Sequence, residues 1–97
     1  MTPKKTSEIF NALKTELGMD HFTEILANLS LNLSEDGKSL FDVERRESMT
    51  GTKMRYPLGW FFERIQSDFA EAQAENQKEY YELLKPAAEI IKTKLEA

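Results

Sequence analysis

Apolar residues along the first third of the chain recur at helical spacing. Ile9, Phe10, Leu13 and Leu17 fall at i, i+1, i+4 and i+8, one face of a helix that Thr6 or Ser7 can cap. Gly18 is a natural stop, because the residue after a helix often takes a positive φ. Asp20 can then cap a second helix, on which Phe22, Ile25, Leu26, Leu29 and Leu33 form a stripe of period 3.6. The pattern predicts a helical hairpin over about 7–17 and 21–30, with residues 1–6 as a frayed polar leader.

From Leu29 to Ser34 the period changes. Leu29, Leu31 and Leu33 alternate with Ser30, Asn32 and Ser34, which is a strand pattern, and Asp36-Gly37 is a turn signal. A β-hairpin over 29–45 follows if Leu33 faces Phe41 and Leu31 faces Val43, which gives one apolar face. A register one residue shorter sets Leu33 against Leu40 but Leu31 against Asp42, and fails on that criterion. The competing reading runs the second helix on to Leu33 and lets Ser39 and Asp42 form a capping box for a short helix. Residues 46–57 are polar, carry Gly51 and Pro57, and read as a loop.

The last forty residues are helical in composition. Leu58, Phe62, Ile65, Phe69 and Ala72 form a stripe that Tyr80, Leu83 and Leu84 resume. A helix over 58–85 would be about 40 Å long. Pro86 lacks a backbone N–H and clashes with the preceding turn, so the helix is expected to kink there. Ala87, Ile90, Ile91 and Leu95 give the final segment its own apolar face. The expected fold is a single, mainly α domain, 1–97, in which the N-terminal hairpin packs on a long C-terminal helix kinked at Pro86, with the β-hairpin at 29–45 as an open option.

Composition narrows the chemistry. The 97 residues include 13 Lys and Arg, 17 Asp and Glu, one His and no Cys, for a net charge of −4. Without Cys there is no disulfide framework, thiolate nucleophile or cysteine-based metal site. No apolar run is long enough to span a membrane, no secretory signal is legible, and a cytoplasmic protein is the default expectation. His21 falls beside Asp20 at a helix start, where it reads as solvated rather than catalytic. The glycines are scattered, with no phosphate-binding pattern. Neither an enzyme nor a bound cofactor or metal is expected.

Three surface features remain. Glu71, Glu75 and Glu79 recur at i, i+4 and i+8, so on one long helix they would stack as an acidic ridge. Arg45, Arg46, Lys53 and Arg55, interleaved with hydroxyls and Tyr56, could grip phosphates. Glu44, Glu47 and the overall acidity weigh against direct nucleic-acid binding. Trp60, Phe61 and Phe62 fan over about 200° of a helix surface, so one core stripe cannot hold all three. Trp60 is the outlier, since its helical neighbours are Glu63, Arg64 and Ser67. A tryptophan on a polar face beside Tyr56, Arg55 and Arg64 has the make-up of an interface anchor; the competing reading folds the loop or the first helix over it. Phe62, Ile65, Phe69, Ala72 and Asn76 also follow 3-4 spacing, which raises homo-oligomerisation through this helix.

In size, acidity and lack of cysteine the whole chain resembles small proteins that bacteriophages and prophages encode to bind and redirect a host enzyme. Among those are the anti-RecBCD proteins, which modify the exonuclease–helicase of double-strand break repair. The resemblance lies in overall character, without a motif, and it implies a protein that acts by occupying a partner's surface. The expected function is therefore a non-enzymatic modulator or inhibitor of a larger protein, plausibly a nucleic-acid-processing enzyme of DNA recombination. Its expected partner-binding residues are Trp60, Tyr56, Arg55, Arg64, Glu71, Glu75 and Glu79. A structural homo-oligomeric module and a nucleic-acid accessory using the 45–55 segment are the alternatives.

Overall fold

The computed structural model describes residues 2–97. Within them the chain forms α1 (Pro3–Leu17), α2 (Met19–Asn28), β1 (Leu31–Leu33), β2 (Leu40–Arg46), β3 (Lys53–Tyr56), α3 (Leu58–Ala74) and α4 (Lys78–Glu96). The strands make one antiparallel sheet in the order β1-β2-β3. A mainly α fold with a small sheet is the architecture the apolar periodicity predicts.

The first helix begins earlier than expected. The hydroxyl of Thr2 accepts the Lys5 backbone N–H at 3.2 Å, and Pro3 occupies the first turn, where its missing N–H costs nothing. The polar leader is thus helical from Pro3, and neither Thr6 nor Ser7 is the cap. At the other end Gly18, with φ +83°, terminates α1 and also starts α2. Asp20 lies inside the first turn of α2 rather than at its cap, and no side chain caps that helix.

The core is built around three phenylalanines. Phe10 of α1, Phe22 of α2 and Phe61 of α3 meet edge to face, with centroids 5.5, 6.2 and 6.2 Å apart. Leu84, Ala87 and Ile91 of α4 are fully buried in the same cluster, and α4 packs against both α1 and α3. Leu31 and Leu40 bring the sheet into it.

The β-hairpin forms, but in the register that apolar matching rejects: Leu31 lies opposite Asp42 and Leu33 opposite Leu40. Asp42 is accommodated because its Oδ1 accepts the backbone N–H groups of Glu44 and Arg45, at 2.8 and 3.1 Å. That local turn absorbs the carboxylate and creates an irregularity between Phe41 and Arg46, which leaves Val43 exposed instead of facing Leu31. The connection is also longer than a turn centred on Gly37. It runs from Ser34 to Ser39, closed by a Ser34 N–H bond to the Ser39 carbonyl at 2.9 Å. Five residues of the predicted loop 46–57 are strand instead, since β2 reaches Arg46 and β3 runs Lys53–Tyr56 beside it. Only residues 47–52 turn.

The long C-terminal helix is two helices. The chain breaks at Asn76, not at Pro86. Asn76 adopts φ +56°; its N–H reaches the Gln73 carbonyl at 3.4 Å, and the Gln77 N–H bonds the Ala72 carbonyl at 2.9 Å. That pair of bonds is the left-handed helix stop in which residues beyond the end satisfy the last free carbonyls. It folds α4 back along α3, and Phe69 stacks on Tyr81 at 4.7 Å across the pair. Pro86 sits inside α4, which continues through it. Phe62, Ile65 and Ala72 are buried within the chain, Phe69 is half-buried, and the helix ends before Asn76, so the 3-4 stripe does not run on through that residue.

Candidate functional site

Tyr56 and Pro57 mark the switch from strand to helix. A residue before proline favours extended backbone, which suits the end of β3, and Pro57, with φ −58°, leads into α3. Successive residues of α3 then point different ways: Phe61 and Phe62 turn fully into the core, while Trp60 is 60% exposed. The Trp60 ring rests edge to face against Tyr56, with centroids 6.0 Å apart.

These two rings stand at the wall of a cleft of about 580 Å³ between the start of α3 and the far end of the sheet. Arg45, Arg55 and Arg64 line it from β2, β3 and α3 respectively, together with Met54. Asp42 and Glu44 of β2, and the α2–β1 junction at Leu29 and Ser30, complete the lining. A second, shallower hollow shares Tyr56, Trp60 and Arg64 with the first and adds Glu63 and Ser67. The three shared side chains therefore form a ridge between two depressions.

Arg64 is held in place. Its Nη1 donates to the Leu29 carbonyl at 3.0 Å, and its Nε lies 3.9 Å from the Asp68 carboxylate. Tyr80 of α4 donates its phenolic O–H to the same carboxylate oxygen of Asp68, at 2.6 Å. Partial burial, then the bond to Asp68, push the Tyr80 hydroxyl well above its ordinary value, so it keeps its proton. Arg45 faces Asp42 at 3.9 Å, with a side chain 77% exposed. Arg55 is exposed and has no ion pair among the described residues.

The structure thus brings Trp60, Tyr56, Arg55 and Arg64 together and adds Arg45. It does not join Glu71, Glu75 and Glu79 to them. The break at Asn76 leaves Glu71 on α3, Glu75 at its terminal cap and Glu79 in the first turn of α4, so they form no continuous ridge and line no part of the cleft. Arg46 and Lys53 face each other across the β2–β3 hairpin and are likewise outside the cleft lining. Asp42, Glu44, Met54 and the Leu29 carbonyl were not legible as site residues; the one sequence signal was the switch of period at Leu29, which marks a junction. His21 is not simply solvated, because its Nε2 lies 2.8 Å from the Leu83 carbonyl.

Among the described residues no group of three or more His, Asp or Glu converges to hold a metal ion, and no helix is long and apolar enough to cross a membrane. No family model, curated protein or solved structure matches the chain.

Proposed function

We propose that this chain is a non-enzymatic binding protein that modulates a larger protein partner through the Trp60 cleft. The observation that carries the reading is the contrast between neighbours. Phe61 and Phe62 are buried, yet Trp60, the only tryptophan, presents 60% of its surface at a site lined by Tyr56 and three arginines. Trp, Tyr and Arg are the residue types that dominate binding energy at protein interfaces. The resemblance in overall character to phage-encoded modulators makes a nucleic-acid-processing enzyme, such as an exonuclease–helicase of recombination, the first partner to try.

The test uses the wild-type chain and Trp60→Ala as baits in nuclease-treated cell lysate. The expected result is a stoichiometric protein captured by the wild type and lost with Trp60→Ala, while far-UV helicity and melting temperature stay unchanged. Unfolding of the variant, or equal capture by both baits, would overturn the reading.

A second reading is favoured by the meeting of two aromatics with three arginines, the combination that stacks and neutralises single-stranded nucleic acid. The net charge of −4 and the two acids within the cleft weigh against it. It requires binding that weakens steeply with salt.

A further inference from the structure

We infer that the occupant of the cleft is an acidic segment of the partner protein, in which carboxylates flank an apolar side chain. The inference rests on the protein-binding reading above and specifies what the site recognises.

The charge distribution is the first argument. The cleft lining carries three cations, Arg45, Arg55 and Arg64, against two acids, Asp42 and Glu44, in a chain whose net charge is −4. An acidic ligand is repelled by most of this surface and attracted here. Of the two acids at the cleft, Asp42 is the more engaged within the chain. Asp42 accepts two backbone N–H groups and faces Arg45, and Glu44 accepts the Ser30 hydroxyl at 3.5 Å.

The cations are not equally engaged. Among the described residues Arg55 is exposed and makes no ion pair, and Arg64 is fixed by the Leu29 carbonyl and Asp68 with Nη2 free of any partner. A guanidinium already immobilised, with Nη2 still able to donate, suits a carboxylate oxygen and loses little entropy on meeting it. Trp60, Tyr56 and Met54 then supply apolar surface beside the two cations, which calls for an apolar side chain between the acids. A uniform polyanion fits less well. With a charge at every unit it would bring phosphates against Asp42 and Glu44, whereas a peptide can alternate.

The test is selection of a displayed random-peptide library on the intact chain. The selected consensus peptide is then titrated against the fluorescence of Trp60. The expected consensus has Asp or Glu on both sides of an apolar residue. Its affinity is expected to fall about tenfold in Arg55→Glu, which turns an attraction into a like-charge repulsion, and to hold in Lys92→Glu, the same charge change away from the cleft. Neutral or basic selected peptides, no enrichment over a Trp60→Ala bait, or equal losses in the two charge variants would overturn the inference. So would a single-stranded oligonucleotide or a phosphopeptide that displaces the consensus. A natural partner captured through Trp60 but indifferent to Arg55→Glu would remove the acidic specification alone and leave the binding reading standing.

Discussion

His21 Nε2 on α2 donates to the carbonyl of Leu83 on α4 at 2.8 Å, three residues before Pro86. Proline withholds the N–H that the Glu82 carbonyl would otherwise accept and crowds the preceding turn. The histidine thus braces α4 from outside at the turn its own backbone supports least. Replacing it with alanine should cost about 1 kcal/mol, the usual net worth of one such bond. Urea unfolding of His21→Ala reads this directly, and an unchanged midpoint would mean the contact contributes nothing.

Trp60 and Phe61 are adjacent and predicted to behave in opposite ways. Phe61 is fully buried against Phe10 and Phe22, so Phe61→Ala should lose about 3–5 kcal/mol. Trp60→Ala removes an exposed ring and should stay within about 0.5 kcal/mol of wild type. Thermal denaturation of the two variants side by side checks both.

Asn76 makes the helix stop testable. A left-handed residue without glycine's freedom carries strain of about 1 kcal/mol, so Asn76→Gly should raise stability by about 0.5–1 kcal/mol. Asn76→Ala should lower it. If both are neutral, packing of α3 on α4 alone sets the turn.

The bond between Tyr80 and Asp68 predicts an alkaline limb. The folded chain holds the Tyr80 proton more tightly than the unfolded chain, whose phenol keeps the ordinary value of 10.0. Its contribution is therefore complete below pH 10 and is lost as the pH rises beyond it. Tyr80→Phe should lose about 1 kcal/mol at neutral pH, and the gap to wild type should close above pH 10. Chemical denaturation across that range measures it.

What the sequence made legible follows from burial. Ile9, Phe10, Leu13, Phe22, Ile25 and Leu26 each face a core that spans their whole helix, so a 3.6 period reports them faithfully. β3 was invisible for the converse reason: Lys53, Met54 and Arg55 are all exposed and leave no alternation. The hairpin register was misjudged because Asp42 is satisfied by two neighbouring backbone N–H groups, a local polar solution that apolar matching does not count. The break at Asn76 was hidden because an Ala- and Glu-rich stretch has strong helix propensity up to the residue that ends it. At the site, Trp60 stood out as the apolar residue no stripe could absorb. The acidic ridge failed because it assumed a helix that Asn76 interrupts.

The packing of α1 on α4 has a consequence for how the chain is made. Leu84, Ala87 and Ile91 of α4 are buried in one cluster with Ile9 and Leu13 of α1, yet they are made after the helix they pack against. Until α4 has been made, α1 and α2 lack part of the apolar surface that buries them. A core shared by the first and last helices therefore closes only when the two ends of this segment meet.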